Sequence, residues 1–283
     1  EMHVRRLAKG LGLLCLLAVT VLGVWAFWLE PDRVVVNRVS LSLPDWPAGH
    51  QPVRLALVSD IHAGAPFITS AKIDAVVSAI QGENPDAIVL LGDYVIQSVI
   101  GGDFMKPEDL ASLLARLHAP LGVYGVLGNH DWWLDGARVR RALRSAGIVM
   151  IDNAARKIER PGGSFWLVGI GDALEGAPDI AGTVAKLSDA APAILATHNP
   201  DLFPQVPRRI ALSMAGHTHG GQVYLPFVGR PVVPSRYGDR YASGLIVEDG
   251  RRLFVTTGLG TSILPVRFRV TPEIVILTIR TGE

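Results

Sequence analysis

Cysteine is almost missing: Cys15 is the single thiol among 283 residues. One thiol makes neither an intrachain disulfide nor a Cys-rich zinc site. A charge surplus is missing too, with 27 Lys and Arg against 26 Asp and Glu, formally +1. The basic residues are scattered and form no stripe, so no nucleic-acid partner is expected. No repeat of fixed period and no low-complexity tract interrupts the chain. Apolar residues make up 49%, which excludes whole-chain disorder and supports a well-packed core.

Charge is also absent from Leu11 through Leu29, close to the ~20 apolar residues a bilayer-spanning helix requires. A buried core helix of that length would normally keep a polar face. Arg5, Arg6 and Lys9 precede the run; Glu30, Asp32 and Arg33 follow it. That imbalance places the N-terminus in the cytoplasm and the catalytic body on the extracytoplasmic side of a single-pass membrane protein. The Arg5-Arg6 pair permits twin-arginine export, although Leu-Ala-Lys follows where an aromatic-leucine pair would be expected. No small-x-small cleavage site stands out, and Val24-Trp25-Ala26 is a poor one, so an uncleaved anchor is expected. Glu1, ahead of Met2, is set aside as an added residue. Three parts result: an anchor over 1–33, a connecting strand and linker over 34–52, and a catalytic domain over 53–283.

In the connection, residues 34–43 alternate as a strand, and Pro44, Pro47 and Gly49 end it. The catalytic region then repeats strand, loop and helix. Residues 54–59 run apolar up to Asp60, and Thr69 to Gln81 is helical after a Thr or Ser cap. Ala87 to Leu91 ends at Gly92-Asp93, and a helix with proline in its first turn spans Pro107 to His118. Gly122 to Leu127 ends at Gly128-Asn129-His130-Asp131, followed by a basic amphipathic helix over Asp135 to Ser145. Buried strands alternating with helices predict a largely parallel α/β sheet. The second half is mostly β. Strands are expected at 165–170, 193–196, 210–215, 222–225, 245–247, 253–256 and 274–279, with one helix near 180–187. Two sheets packed face to face with helices outside follow from that pattern.

Five polar clusters each close a predicted strand: Asp60-x-His62, Gly92-Asp93, Gly128-Asn129-His130-Asp131, His198, and Gly216-His217-Thr218-His219. Strand carboxyl ends line the crevice of an open α/β sheet, so the clusters point at one place. Carboxylate, amide oxygen and imidazole without thiolate suit manganese, iron or zinc better than calcium. Taken singly, each residue has an ordinary explanation. A lone Asp after a strand is commonly a turn or cap, and a lone His a satisfied packing residue, as His3 and His118 are read here. Coincidence does not extend to five such clusters in one order.

These motifs resemble the calcineurin-like metallophosphoesterase superfamily over about residues 53–279. The Gly-His-Thr-His-Gly-Gly-Gln run, Leu225-Pro226-Phe227 and Pro234-Ser235-Arg236-Tyr237-Gly238 are most similar to its membrane or exported bacterial branch, the YkuE/YaeI-like proteins. The resemblance implies a four-layer α/β-β/α sandwich with two divalent metal ions, manganese first and iron or zinc as alternatives. It would place Asp60, His62 and His219 on one ion and Asn129, His198 and His217 on the other. Asp93 would bridge them, and His130 would face the substrate as a catalytic non-ligand. A metal-bridging hydroxide would attack phosphorus in line, with His130 as imidazolium assisting the leaving oxygen. One departure is informative: Ile96 and Gln97 stand where protein phosphatases of the superfamily carry a second Asp and an Arg. Protein phosphatase activity is therefore not expected, and support for His130 is unassigned, with Asp131 a candidate.

The expected reaction is hydrolysis of a phosphodiester or pyrophosphate, the substrate being a membrane lipid or lipid precursor. A nucleotide or cyclic-nucleotide phosphodiesterase is the alternative enzyme, and a scaffold without turnover the alternative of another class. No obligate protein partner is evident. Trp132 and Trp133 read either as packing or as an aromatic wall; Leu225 to Pro234 as a lid, a membrane-dipping segment or a buried crossover. Asp172 reads as a turn residue or a partner of the site.

Overall fold

The alternation of β2 (Val53–Val58) fixes the layering of the molecule. Leu55 and Leu57 face a core shared with the second sheet, while Ala56 and Val58 face a separate core under helices. The computed structural model describes residues 2–282; Glu1 lies outside the described residues.

Each half of the sandwich is a six-stranded sheet. In the first, β2, β3 (Ala87–Leu90), β4 (Val123–Gly125) and β5 (Val149–Met150) run parallel. The last strand, β12 (Glu273–Thr281), returns to this sheet antiparallel to β2, and β1 (Val35–Leu43) pairs parallel with it along its whole length. The strand expected within the connection thus forms an edge of this sheet. The second sheet runs β10 (Gly244–Glu248), β11 (Arg251–Val255), β9 (Ile210–Ala215), β8 (Ala193–Ala196), β7 (Phe165–Gly169) and β6 (Ala154–Ile158). Its inner strands are parallel and the outermost pair at each edge is antiparallel.

Helices cover both outer faces, which completes the four layers. Over the first sheet lie α3 (Ser70–Gly82), α4 (Pro107–Leu114) and α5 (Asn129–Ser145). In α3, Ile73, Val76, Val77 and Ile80 form the buried stripe, and the Thr69 hydroxyl caps it by accepting from Lys72 N at 3.3 Å. The second sheet is covered more thinly, by α6 (Ile180–Val184) and a 3₁₀ turn over Pro200–Gln205.

Three expectations need correction. Residues 222–225 form no strand; Val223 makes only an isolated bridge to Phe268 and Leu225 one to Gly229. Strands β5 and β6 are not expected from the sequence: β5 is only two residues long, and β6 carries Arg156 and Lys157. The Asn129-His130-Asp131 segment is the first turn of α5 rather than a loop, and α5 breaks at Asp135 (φ −179°, ψ 91°) before continuing.

At the N-terminus, α1 (Met2–Val24) runs through a π turn at Trp25–Leu29 into α2 (Glu30–Asp32). Pro31 has no N–H to offer the carbonyl four residues back, and the helix widens just ahead of it. The helix base is bonded to the body. Arg267 N donates to Ala26 O at 2.9 Å, and the buried Glu30 carboxylate accepts from Trp25 Nε1 at 2.7 Å and Arg269 N at 2.8 Å. Lys72 pairs with Asp32 at 2.7 Å.

Arg267 is wholly buried, and its guanidinium donates to the carbonyls of Thr257 (2.8 Å), Gly258 (3.3 Å), Gly260 (2.6 Å) and Val270 (3.2 Å). Burial lowers its pKa to about 10, which leaves it charged at neutral pH. Arg267→Ala should destabilise the protein by roughly 2–4 kcal/mol, because buried carbonyls lose their donor. A thermal melt of the full-length protein in detergent reads this, and an unchanged Tm would show that the guanidinium holds nothing together.

Candidate metal centre

The carboxyl ends of strands from both sheets meet at one end of the sandwich. Asp60 and His62 follow β2, Asp93 follows β3, Asn129 and His130 follow β4, His198 follows β8, and His217 and His219 follow β9. Backbone bonds clamp these turns together: Asp60 N donates to Gly92 O at 2.9 Å, and His62 N to Asp93 O at 3.0 Å. Asp60, His62, Asp93, His217 and His219 all adopt positive φ, between 46° and 69°. That conformation is unfavourable for residues with a Cβ and clusters at functional sites. At Gly128 a Cβ would run into the Asp93 carboxylate, and at Gly216 into Ser59 and Asp60. These two positions require glycine for close approach.

The side chains converge on a small space. Asp93 Oδ2 lies 3.2 Å from both His62 Nε2 and His198 Nε2. His219 Nε2 is 3.4 Å from Asp60 Oδ1, and His217 Nδ1 is 3.2 Å from His198 Nε2. Asp60, His62 and His219 form one group whose ligand atoms lie within 4.8 Å of one another; Asp93, His198 and His217 form a second. Asn129 Oδ1 is buried with no partner.

The donor set fits divalent cations. Nδ1 of His62, His198 and His219 faces the carbonyls of Thr261 (3.0 Å), Leu91 (2.8 Å) and Gly260 (3.2 Å). A carbonyl only accepts, so each Nδ1 carries a proton and each Nε2 is the nitrogen turned toward the centre, where a cation would displace any proton it holds, as ligating histidines are held. Charge points the same way. Burial opposes protonation of His198, yet the Asp93 carboxylate overrides it and raises the pKa to about 10. Burial and then the neighbouring His198 lower His217 to about 4. Two buried carboxylates demand positive charge, and the adjacent imidazoles cannot all supply it.

His130 joins a third such group, with His62 and Asp93, whose ligand atoms again lie within 4.8 Å of one another. The His130 N–H donates to Asp93 Oδ1 at 2.9 Å, while its ring lies 4.8 Å from that of His62 and 4.7 Å, edge-on, from that of Trp133. Burial foremost lowers its pKa to about 4, so the imidazolium expected from the sequence is not the resting form. Its Nδ1 is buried without a partner. Trp133 is half exposed, and its Nε1 donates to Glu175 at 3.1 Å. Gln97 Nε2 donates to the His130 carbonyl at 3.0 Å. Trp132 packs against the helical core with Arg140 over its ring at 5.4 Å.

Asp131 does not touch the His130 ring. Its carboxylate turns back to accept from the backbone N–H groups of Gly128 (2.9 Å), Asp93 (3.0 Å), Tyr94 (2.9 Å) and Val95 (3.2 Å). It ties the β3 and β4 turns together. Sequence reasoning offered it only as a helper of its neighbour, because a carboxylate bonded to a distant turn leaves no local signature. Asp172 caps its own turn, accepting from Leu174 N at 2.8 Å and Glu175 N at 3.0 Å.

Fold and centre together define a metallophosphoesterase. Residues 53–227 match the profile of the calcineurin-like phosphoesterase family, and the chain belongs to that family. It is a phosphoester hydrolase, and the family works with a dinuclear divalent metal site. The chain is 30% identical over 286 residues to the uncharacterized metallophosphoesterase YkuE of Bacillus subtilis, covering 99% of this chain and 98% of that protein. It is 34% identical to phosphodiesterase YaeI of Escherichia coli over 80% of this chain and 82% of YaeI. A third relative is the UDP-2,3-diacylglucosamine pyrophosphatase LpxG of Chlamydia trachomatis, 26% identical over 90% of this chain and 92% of LpxG.

Asp131→Asn sets an amide N–H₂ against N–H donors in a sealed site. It is expected to lower stability by about 2–4 kcal/mol and to reduce bound divalent metal. Elemental analysis after dialysis, beside a denaturant titration, reads both. Full metal occupancy in the variant would show that the turns are held by something else.

Proposed function

We propose that this chain hydrolyses a phosphodiester or pyrophosphate bond in a membrane lipid or lipid precursor. The observation that carries the lipid reading is the attachment of the apolar N-terminal helix. The described helix over Met2–Asp32 is long and apolar enough to cross a membrane, and its base is bonded through Arg267, Arg269 and Thr271 to the segment that borders the centre. Trp25, Phe27 and Trp28 close the apolar run with exposed rings, the level at which aromatic side chains meet lipid headgroups. The relative named as a diacylglucosamine pyrophosphatase supports a lipid-linked pyrophosphate as one such substrate.

Asp60, His62 and His219 are assigned to one ion and Asn129, His198 and His217 to the other. The equal distances from Asp93 Oδ2 to His62 and His198 support Asp93 as the shared ligand. Manganese is the first choice for this thiol-free set, with iron or zinc as alternatives. Bound there, the ions supply a hydroxide nucleophile at neutral pH and positive charge for the phosphoryl oxygens. The chain does the rest. Paired carbonyls orient the imidazoles, the sealed turns exclude water, and His130, wedged between His62 and Trp133, offers its ring N–H to the leaving oxygen.

Asp93→Ala should empty both sites and abolish hydrolysis, whereas His62→Ala should weaken one. Turnover of bis-nitrophenyl phosphate by protein shown to be metal-free would sink the mechanism. His130→Ala should keep the metal content and slow the chemical step by roughly 10²-fold or more. Esters with good leaving groups should suffer less, and loss of metal in this variant would make His130 a ligand. The body is assigned to the extracytoplasmic side, from the three cations ahead of the apolar run. Alkaline phosphatase fused to the C-terminus should then be active and green fluorescent protein dark; the reverse pattern would place the body in the cytoplasm.

A further inference from the structure

Beside the metal centre lies an open apolar groove of about 330 Å³, within the size range of small-ligand sites. Its inner end is formed by Thr218 and His219, and His219 is the same side chain that faces Asp60 across the centre. Its walls are aliphatic, with Val223 and Val232 on one segment and Ile263, Leu264 and Val266 on another. The polar side chain of Gln222 offers the groove little. Its Oε1 accepts from Ser262 N at 2.6 Å and its Nε2 donates to Ser262 O at 3.2 Å, which fastens the two segments together.

The outer end is exposed, with Val232 at 72% and Ile263 at 75% accessibility. One of the groove's walls adjoins the base of the N-terminal helix. Val266 lines the groove, and the next residue, Arg267, donates its N–H to Ala26 O at the helix base. Next to Val223 on the wall, the Tyr224 ring has the guanidinium groups of Arg230 at 5.2 Å and Arg269 at 5.6 Å. One cavity therefore has the imidazole assigned as a metal ligand at one end, and aliphatic walls, one of which adjoins the helix base.

We infer that this groove is the subsite for one acyl chain of the substrate, a phospholipid-like ester drawn from the bilayer that holds the helix. The inference rests on the lipid-phosphoesterase reading and adds where the chain is bound. An acyl chain lying from the mouth toward His219 brings its phosphoester to the cation site that Asp60 and Asp93 would help to form. Concavity separates this occupant from simple membrane contact. The convex tips Phe227 and Val228 would touch a bilayer surface, whereas the half-buried Val223 and Val266 line the concave walls.

The test uses the full-length protein in phosphatidylcholine nanodiscs containing a phosphatidic acid with a diazirine near the end of one acyl chain. After irradiation, adducts on Val223, Leu264 or Val266 are expected, and Val232→Asp should reduce them at least about fivefold. Ile263→Asp is the second variant; both positions are exposed and tolerate a charge without loss of fold. Adducts confined to α1 and to Phe227 and Val228, or unchanged in both variants, would overturn the subsite. A second arm follows hydrolysis of alkyl nitrophenyl phosphodiesters from methyl to dodecyl by the metal-loaded protein. KM should fall by up to about fourfold per buried methylene until the groove is filled, and Val232→Asp should flatten that dependence. Equal dependence in both proteins would trace it to bilayer partitioning and overturn the subsite. Failure to hydrolyse any of the esters would sink the phosphoesterase reading instead, with the adducts still deciding the groove.

Discussion

Two carboxylates, Asp60 and Asp93, are sealed from water at the seam between two sheets, and much of the surrounding architecture answers that constraint. An unpaired buried carboxylate is among the least tolerable groups in a protein interior. Here each is met first by backbone N–H groups: Asp60 by His217 N at 3.1 Å, Asp93 by His130 N at 2.9 Å. Imidazoles then crowd the remaining oxygens. The left-handed turns that carry these residues are strained in isolation and persist because the β2, β3, β4 and β9 ends clamp one another.

Two side chains outside the donor set make that clamp work, and they do so with opposite hydrogen-bonding capacity. Asp131 gathers four backbone N–H groups from the turns of the first sheet. Arg267 gathers four carbonyls, among them Gly260 O, which also receives His219 Nδ1. A buried carboxyl collects donors on one side of the centre, and a buried guanidinium collects acceptors on the other. Neither residue touches the space where the reaction is placed. Both determine where the residues that do so can stand.

How much of this was legible in the sequence depended on range. Strand-end clusters such as Asp60-x-His62 and His217-x-His219 are local patterns, and local patterns survive in one dimension. The alternation of β2 and the capped stripe of α3 were readable for the same reason. The return of β12 to lie between β1 and β2 was not, since strand pairing across more than two hundred residues leaves no trace in spacing. Residues 222–225 looked like a strand because Val223 and Leu225 alternate with polar neighbours. In the fold Val223 lines a groove and Leu225 makes an isolated bridge to Gly229, so their alternation serves no sheet. Asp131 sat inside a recognised motif, yet its partners lie on another turn.

The join between helix and body has a mechanical consequence. Only Arg33 and Val34 separate α2 from β1, and that short span is braced by Glu30 and by the Lys72–Asp32 pair. There is no tether whose length could vary. Once the helix is fixed in a bilayer, the catalytic crevice stands at one height and one tilt. Its encounters then become a search over a plane rather than through a volume. Reach then belongs to the substrate and not to the enzyme.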